Sequence, residues 1–222
     1  MKNKIVKLRS KLERNKIFFE TFAATVLILA SIYVSVQANN ISNIQTEIMK
    51  LENTPKIEIR TTISQKDSVT TKWQIFNHNS KISNFELEQQ FSFLSIRKRD
   101  ETQEKEIPLM EYINGIGNFS GQNEGLIAEY DNGYYSQNEK IIQKELENYC
   151  FIQVRCFIEI SFEDVLDKQT KYYQITPMIK EISEKDWELI KKDFSMKTDK
   201  KDRTINLAHD IESNIQKIKN YN

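Results

Sequence analysis

Cysteine, histidine and glycine are all scarce in this chain, and each scarcity closes off a class of chemistry. The two cysteines, Cys150 and Cys156, fall six residues apart in one alternating stretch. On a strand that spacing is ~20 Å, far beyond the ~4.4–6.8 Å between Cα atoms that a disulfide needs. They read as small buried apolar groups rather than a redox pair. The two histidines, His78 and His209, have no cysteine, histidine or carboxylate at ligand spacing on their own elements, which argues against a zinc site. His209 and Asp210 are sequence neighbours, and so point to different faces of a helix. All five glycines lie between Gly115 and Gly133. Gly115-Ile116-Gly117 lacks the third glycine of a dinucleotide loop and no Gly-Lys-Ser/Thr occurs, so no nucleotide cofactor is expected. No Gly-x-Ser-x-Gly elbow marks a hydrolase nucleophile, and the chain is not expected to be an enzyme.

Net charge is also lacking: 32 basic side chains balance 32 acidic ones. The balance hides an asymmetry. Residues 1–16 hold seven Lys/Arg against Glu13, and residues 37–222 then carry 25 basic and 30 acidic side chains. A mildly acidic domain has no basic face to neutralise phosphates, so nucleic acid is not an expected partner.

What is present in abundance is one apolar run. Ile17 to Val36 contains twenty residues with a single charge, Glu20. At ~1.5 Å rise per residue such a helix crosses a hydrocarbon core of ~30 Å. With the basic cluster in front and only Lys50 and Lys56 in the twenty residues behind, the positive-inside rule orients the N-terminus to the cytoplasm and the rest of the chain outside. Glu20 lies close enough to the cytoplasmic edge to snorkel. The competing interpretation is a cleaved signal peptide ending at Val36-Gln37-Ala38, against which stands an apolar run longer than the usual ~7–15 residues.

Behind the anchor, Ile41, Ile44, Ile48 and Leu51 are spaced 3, 4, 3, a heptad seam that continues backward through Val34, Ala30 and Leu27. One continuous helix is expected, either oligomerising along this stalk or packing its stripe on its own domain. Pro55 stops it. Alternation with period two then predicts strands at Ile57–Ile63, Val69–Ile75, and Phe85–Ile96 as an antiparallel meander or the first half of a sandwich. The charged run Arg97–Glu106 is expected to be a solvated loop or hairpin tip. Asp131-Asn132-Gly133 reads as a tight hairpin turn, and Ser136 to Glu139 as a capping box that opens a short helix. Tyr149–Phe162 is a strand with one dry face, carrying Cys150, Ile152, Val154, Cys156, Ile158, Ile160 and Phe162, and it forms a hairpin with Lys171–Pro177. Ser183 caps a helix bearing Trp187, Ile190 and Phe194, and Leu207, Ile211, Ile215 and Ile218 mark a C-terminal amphipathic helix.

The expected organisation is therefore a basic cytoplasmic tail (1–16), a transmembrane helix (17–36), a helical stalk (37–53), an α+β domain of mainly antiparallel, sandwich-like β structure with short helices (54–194), and a charged linker with a C-terminal helix (195–222). The glycine-rich window carries Tyr112, Phe119, Tyr130, Asp131, Tyr134 and Tyr135, an aromatic set that suits a surface contact loop. Its glycines suit tight turns equally well. Asn40-Ile41-Ser42 and Asn118-Phe119-Ser120 match glycosylation sequons. The order of elements resembles that of uncharacterised single-pass bacterial membrane proteins with a basic N-terminus, an anchor, a short stalk and a small β-rich domain. The resemblance is one of layout; it implies no activity and carries no site residues. Two function classes follow. One is a membrane-tethered binding or scaffold module that meets a protein or envelope component. The other is an accessory subunit, assembled with itself or other membrane chains through the anchor and the 41–51 seam. An envelope hydrolase is the outsider.

Overall fold

A computed structural model describes residues 2–64, 70–114, 118–119, 123–133, 135–164, 167–199 and 204–221. The chain divides into two units, Met1–Glu52 and Asn53–Asn222.

The first unit is helical: α1 (Lys2–Arg14) and α2 (Lys16–Glu52). As the spacing predicts, α2 runs unbroken from the apolar stretch through the 41–51 seam. It is long and apolar enough to cross a membrane, with a mean hydropathy of 2.0 over its most apolar window, and none of its residues is buried. The hydroxyls of Thr21 and Thr25 donate to the carbonyls of Ile17 and Thr21, one turn back, so these polar groups are satisfied within the helix. Glu20 lies 3.7 Å from Lys16, which gives the one acid of the apolar run a cation on the same face.

The second unit is mostly antiparallel β structure with three short helices among the described residues. Its strands are β1 (Lys56–Ile63), β2 (Thr71–His78), β3 (Ser83–Lys98), β4 (Lys105–Leu109), β5 (Asn118–Phe119), β6 (Gly125–Asp131), β7 (Cys150–Glu163), β8 (Lys168–Thr176) and β9 (Lys180–Ile182). The helices are α3 (Tyr135–Leu146), α4 (Glu184–Thr198) and α5 (Ile211–Lys219). One sheet has the order β1-β2-β6-β5 and the other β4-β3-β7-β8-β9. Ile59, Trp73, Ile75, Ala128 and Tyr130 of the first share one buried core with Leu94, Ile96, Val154, Cys156, Ile160 and Ile175 of the second.

The first three strands are not a meander. After β1 and β2 pair, β3 crosses to the other sheet and lies between β4 and β7. The crossover is built from asparagines: Asn79 and Asn84 take positive φ (78° and 49°), which asparagine tolerates best among residues with a side chain, and Asn77 Nδ2 donates to the carbonyls of Ser80 and Asn123. Nor do Phe85, Leu87, Phe91 and Phe93 share one face. The β3–β7 register shifts between Leu87 and Gln89, and a one-residue slip turns the side chains over. Phe85 and Leu87 consequently pack on the shared core, while Phe91 and Phe93 meet α4 on the far face of the second sheet.

The expected dry face of β7 is seen in full, Cys150 through Phe162 at alternate positions. Phe157, on its other face, is also buried, because α4 covers it with Trp187. Ser183 caps α4 as expected, accepting from Asp186 N at 3.1 Å. Arg97–Glu106 forms the end of the β3–β4 hairpin. Segment 195–222 is not a separate appendage. Residues 195–198 complete α4, Ile205 bridges Leu109 in parallel, and Leu207 and Ile218 are fully buried in the main core. Val69, Gly115, Gly117, Ser120, Gly121, Tyr134 and the 200–203 part of the expected linker lie outside the described residues.

Candidate binding cleft

The aromatic contact loop expected between Gly115 and Tyr135 is not an exposed patch. Tyr112, Tyr130 and Tyr135 are 5%, 3% and 6% exposed and belong to the core; strand β6 turns Tyr130 inward opposite Trp73. Asp131 is half-buried, Phe119 is exposed and meets Phe85 and Tyr130 edge-on, and Tyr134 lies outside the described residues. The Asp131-Asn132-Gly133 turn joins β6 to α3 rather than to another strand, with Gly133 at φ +43°. The seam residues Ile41, Ile44, Ile48 and Leu51 are exposed along α2.

That turn creates a different site. It leads into α3, which packs on α5 and β7, and a solvent-open cleft of about 420 Å³ lies between α3 and the ends of β2 and β8, within the ~300–1,000 Å³ of small-molecule sites. Trp73, Ile175, Pro177 and Ile179 give it an apolar wall; Thr61, Thr71, Thr176, Asn132, Ser136, Glu139, Lys140 and Gln143 line the rest with Tyr112. The expected capping box does not form. The helix begins at Tyr135, two residues before the start that a Ser136 cap would set, Ser136 Oγ donates to the Gly133 carbonyl, and the Glu139 carboxylate turns to the cleft. There Tyr112 Oη donates to Glu139 Oε2 at 2.8 Å, and Gln143 Nε2 donates to Oε1 at 2.9 Å. Asn132 Nδ2 donates in turn to Tyr112 Oη at 3.1 Å, while its Oδ1 accepts the Thr71 N–H at 2.9 Å. The relay locks the phenol and the carboxylate in one geometry.

Burial raises the Glu139 pKa, against the opposing pull of the Tyr112 hydrogen bond and the Lys140 charge. Burial, and then the neighbouring Glu139, pushes Tyr112 well above the usual phenol range. The partners of Glu139 in this relay are neutral donors, and among the described residues no cation forms an ion pair with it. An acid raised on folding is more stable in its protonated form, so its contribution is greatest at low pH and falls as pH rises from about 4.5 through the raised pKa. Glu139→Gln, whose carbonyl keeps the Tyr112 bond and whose NH2 can donate to a turned Gln143 carboxamide, is expected to melt higher than the native chain at neutral pH. The gap should close below pH 4.5, as thermal melts across a pH series would record.

The titratable residues singled out by their scarcity lie elsewhere. His78 Nε2 is 3.0 Å from Glu58 Oε2 on the neighbouring strand, and His209 precedes α5. Cys150 and Cys156 are free and buried; complete burial pushes the Cys156 thiol up to about 12, which leaves no thiolate at neutral pH. Among the described residues no group of three or more His, Cys, Asp or Glu could hold a metal ion.

No protein-family model, curated protein or solved structure matches this chain. Sequence inspection found Tyr112 for a different role and read Glu139 as a helix cap. Asn132, Gln143 and Trp73 carry no local signal, because the relay joins residues up to about sixty positions apart.

Proposed function

We propose that the chain is a membrane-anchored, non-enzymatic binding module that holds its β-rich domain on the extracytoplasmic side. The observation that carries this reading is α2, whose large apolar side chains are all exposed: Phe18, Phe22, Leu27, Ile28, Leu29 and Ile32 are each more than half accessible. Each such side chain gains ~1.5–3 kcal/mol on leaving water, so the run as a whole outweighs the ~2.5–3.5 kcal/mol of a mid-membrane acid, and Glu20 is near an end and next to Lys16. The basic tail orients the helix with its N-terminus in the cytoplasm. In this reading the cleft beside α3 is the working site, replacing the aromatic loop. The exposed seam of Ile41, Ile44, Ile48 and Leu51 favours a second role, an accessory subunit that assembles through the stalk.

One experiment separates these. A photo-crosslinking residue is placed at Thr61, on the cleft rim, or at Ile44, in the seam, and the membranes are washed at alkaline pH before irradiation. Retention of the full-length chain in the washed membranes, with a specific adduct from Thr61, is the expected outcome. An adduct from Ile44 alone would shift the reading to the accessory subunit. Release of the chain by the wash, or a mature N-terminus near Asn39, would sink the anchor.

A further inference from the structure

Among the described residues two charged side chains line the cleft, Glu139 and Lys140. They are successive residues of α3, so they project in different directions and do not satisfy each other. Among the described residues neither Glu139 nor Lys140 forms an ion pair, although the Lys140 charge acts on Glu139 from the next position. Glu139 is the inner of the two, half-buried and fixed by Tyr112 and Gln143; Lys140 is exposed at the rim. The Trp73 and Tyr112 rings stand 6.0 Å apart beside them, and the Trp73 indole N–H is buried without a hydrogen-bond partner.

This arrangement discriminates among ligands by charge. A simple anion would sit against a partly desolvated carboxylate, a cost that one exposed lysine does not offset. A simple cation would gain Glu139, but would meet Lys140 at the rim. A molecule with an ammonium and a carboxylate a few bonds apart satisfies both charges, and its apolar part meets the wall of Trp73, Ile175 and Ile179. We propose that the cleft binds a small zwitterion of the α-amino-acid type, its ammonium on Glu139, its carboxylate on Lys140 and its side chain against Trp73 and Ile175. The inference rests on the cleft being the module's working site. Binding replaces solvent at Glu139 with a cation, the interaction that its two neutral donors leave unmade.

The test uses the full chain in detergent micelles. Thermal melts are recorded with each of the common α-amino acids. The best stabiliser is then compared by calorimetry with its decarboxylated amine and its deaminated acid. At least one amino acid is expected to raise the melting temperature, with both truncated analogues far weaker. Glu139→Gln is expected to lose about tenfold or more in affinity, and Lys140→Gln about threefold or more. Glu139→Gln keeps the size of the native side chain and, through its carbonyl, the Tyr112 contact, while its amide can donate to a turned Gln143 carboxamide; if it nevertheless fails to fold, the exposed Lys140→Gln variant and the two analogues decide the question. No response to any amino acid, undiminished affinity in the folded Glu139→Gln variant, or equal binding of the bare amine would each overturn the proposal. A Thr61 adduct without any amino-acid response would leave the binding-module reading standing and remove only this ligand class. Absence of that adduct alongside a clear amino-acid titration would do the reverse, keeping the zwitterion site and removing a macromolecular partner at the rim.

Discussion

Replacing Trp187 with alanine is expected to destabilise the β-rich domain by about 3–5 kcal/mol, the range for truncating a buried aromatic to alanine. Trp187 is 1% exposed and is the only fully buried side chain of α4. Its ring lies 5.0 Å from Phe91 and stacks on Tyr172 at 5.2 Å, and it closes a satellite core with Phe93 and Phe157. Those neighbours stand on three adjacent strands, β3, β7 and β8, whose ladders fix their positions, so the cavity cannot collapse by a local shift. Ile190 and Phe194 pack on the same core from the edge of the helix, Phe194 at 5.0 Å from Phe91 and 5.5 Å from Phe93. Lys197 bonds Glu106 at 3.4 Å across to β4, a partly exposed pair worth at most ~1 kcal/mol. Leu189, on the outer side of α4 and 58% exposed, is the control, and Leu189→Ala should change stability by less than about 0.5 kcal/mol. Urea titration of both variants, followed by tryptophan fluorescence from Trp73 and by circular dichroism, checks the difference. A loss of under about 1 kcal/mol for Trp187→Ala would mean that α4 is not docked on the second sheet.

The satellite core also shows where sequence reading succeeds and where it stops. The β7 strand was legible because a partner face of constant polarity leaves period two intact over Cys150–Phe162. The α4 face was legible from Trp187, Ile190 and Phe194 at helical spacing behind a serine cap. The β3 strand was legible as an extended run over Phe85–Ile96, but its facing was not, since the register shift between Leu87 and Gln89 splits its odd-numbered aromatics between two cores. A bulge leaves no mark on the hydrophobic pattern. The same limit explains the cleft. Tyr112, Tyr130 and Tyr135 stand in a window rich in glycine and asparagine, a composition typical of exposed loops, yet long-range pairing of β6 with β2 turns Tyr130 inward, and Asn132 holds the Tyr112 phenol through a side-chain bond. Glu139 has the spacing of a capping box, a local hydrogen bond, but Tyr112 competes for the same carboxylate from 27 residues away. Local grammar places elements well; it is silent on which of two satisfied partners a side chain takes.

The last residues of the chain carry the second large effect. Deleting residues 200–222 is expected to abolish cooperative folding of the domain, although the pattern reads this segment only as a charged linker with a C-terminal amphipathic helix. Ile205, Leu207 and Ile218 are each 0% exposed within the shared core. At ~1.5–3 kcal/mol per fully buried aliphatic side chain, the three together match much of the ~5–15 kcal/mol by which a domain is stable. Backbone bonds add to the loss: Ile205 N donates to Pro108 O and Met110 N donates to Ile205 O, each at 3.0 Å, so the deletion strips the free edge of β4. Asn138 Nδ2 on α3 would lose the Leu207 carbonyl it holds at 2.6 Å, and with it a support of the cleft helix. The point variant Ile218→Ala should cost about 2–5 kcal/mol, and Ser213→Ala, on the exposed side of α5, close to nothing. Melting of the truncated chain in detergent, read by near-ultraviolet circular dichroism to exclude the signal of α2, should show no transition. A sharp transition at the native temperature would mean that α5 is a docked passenger. The cleft variants could then be studied without it.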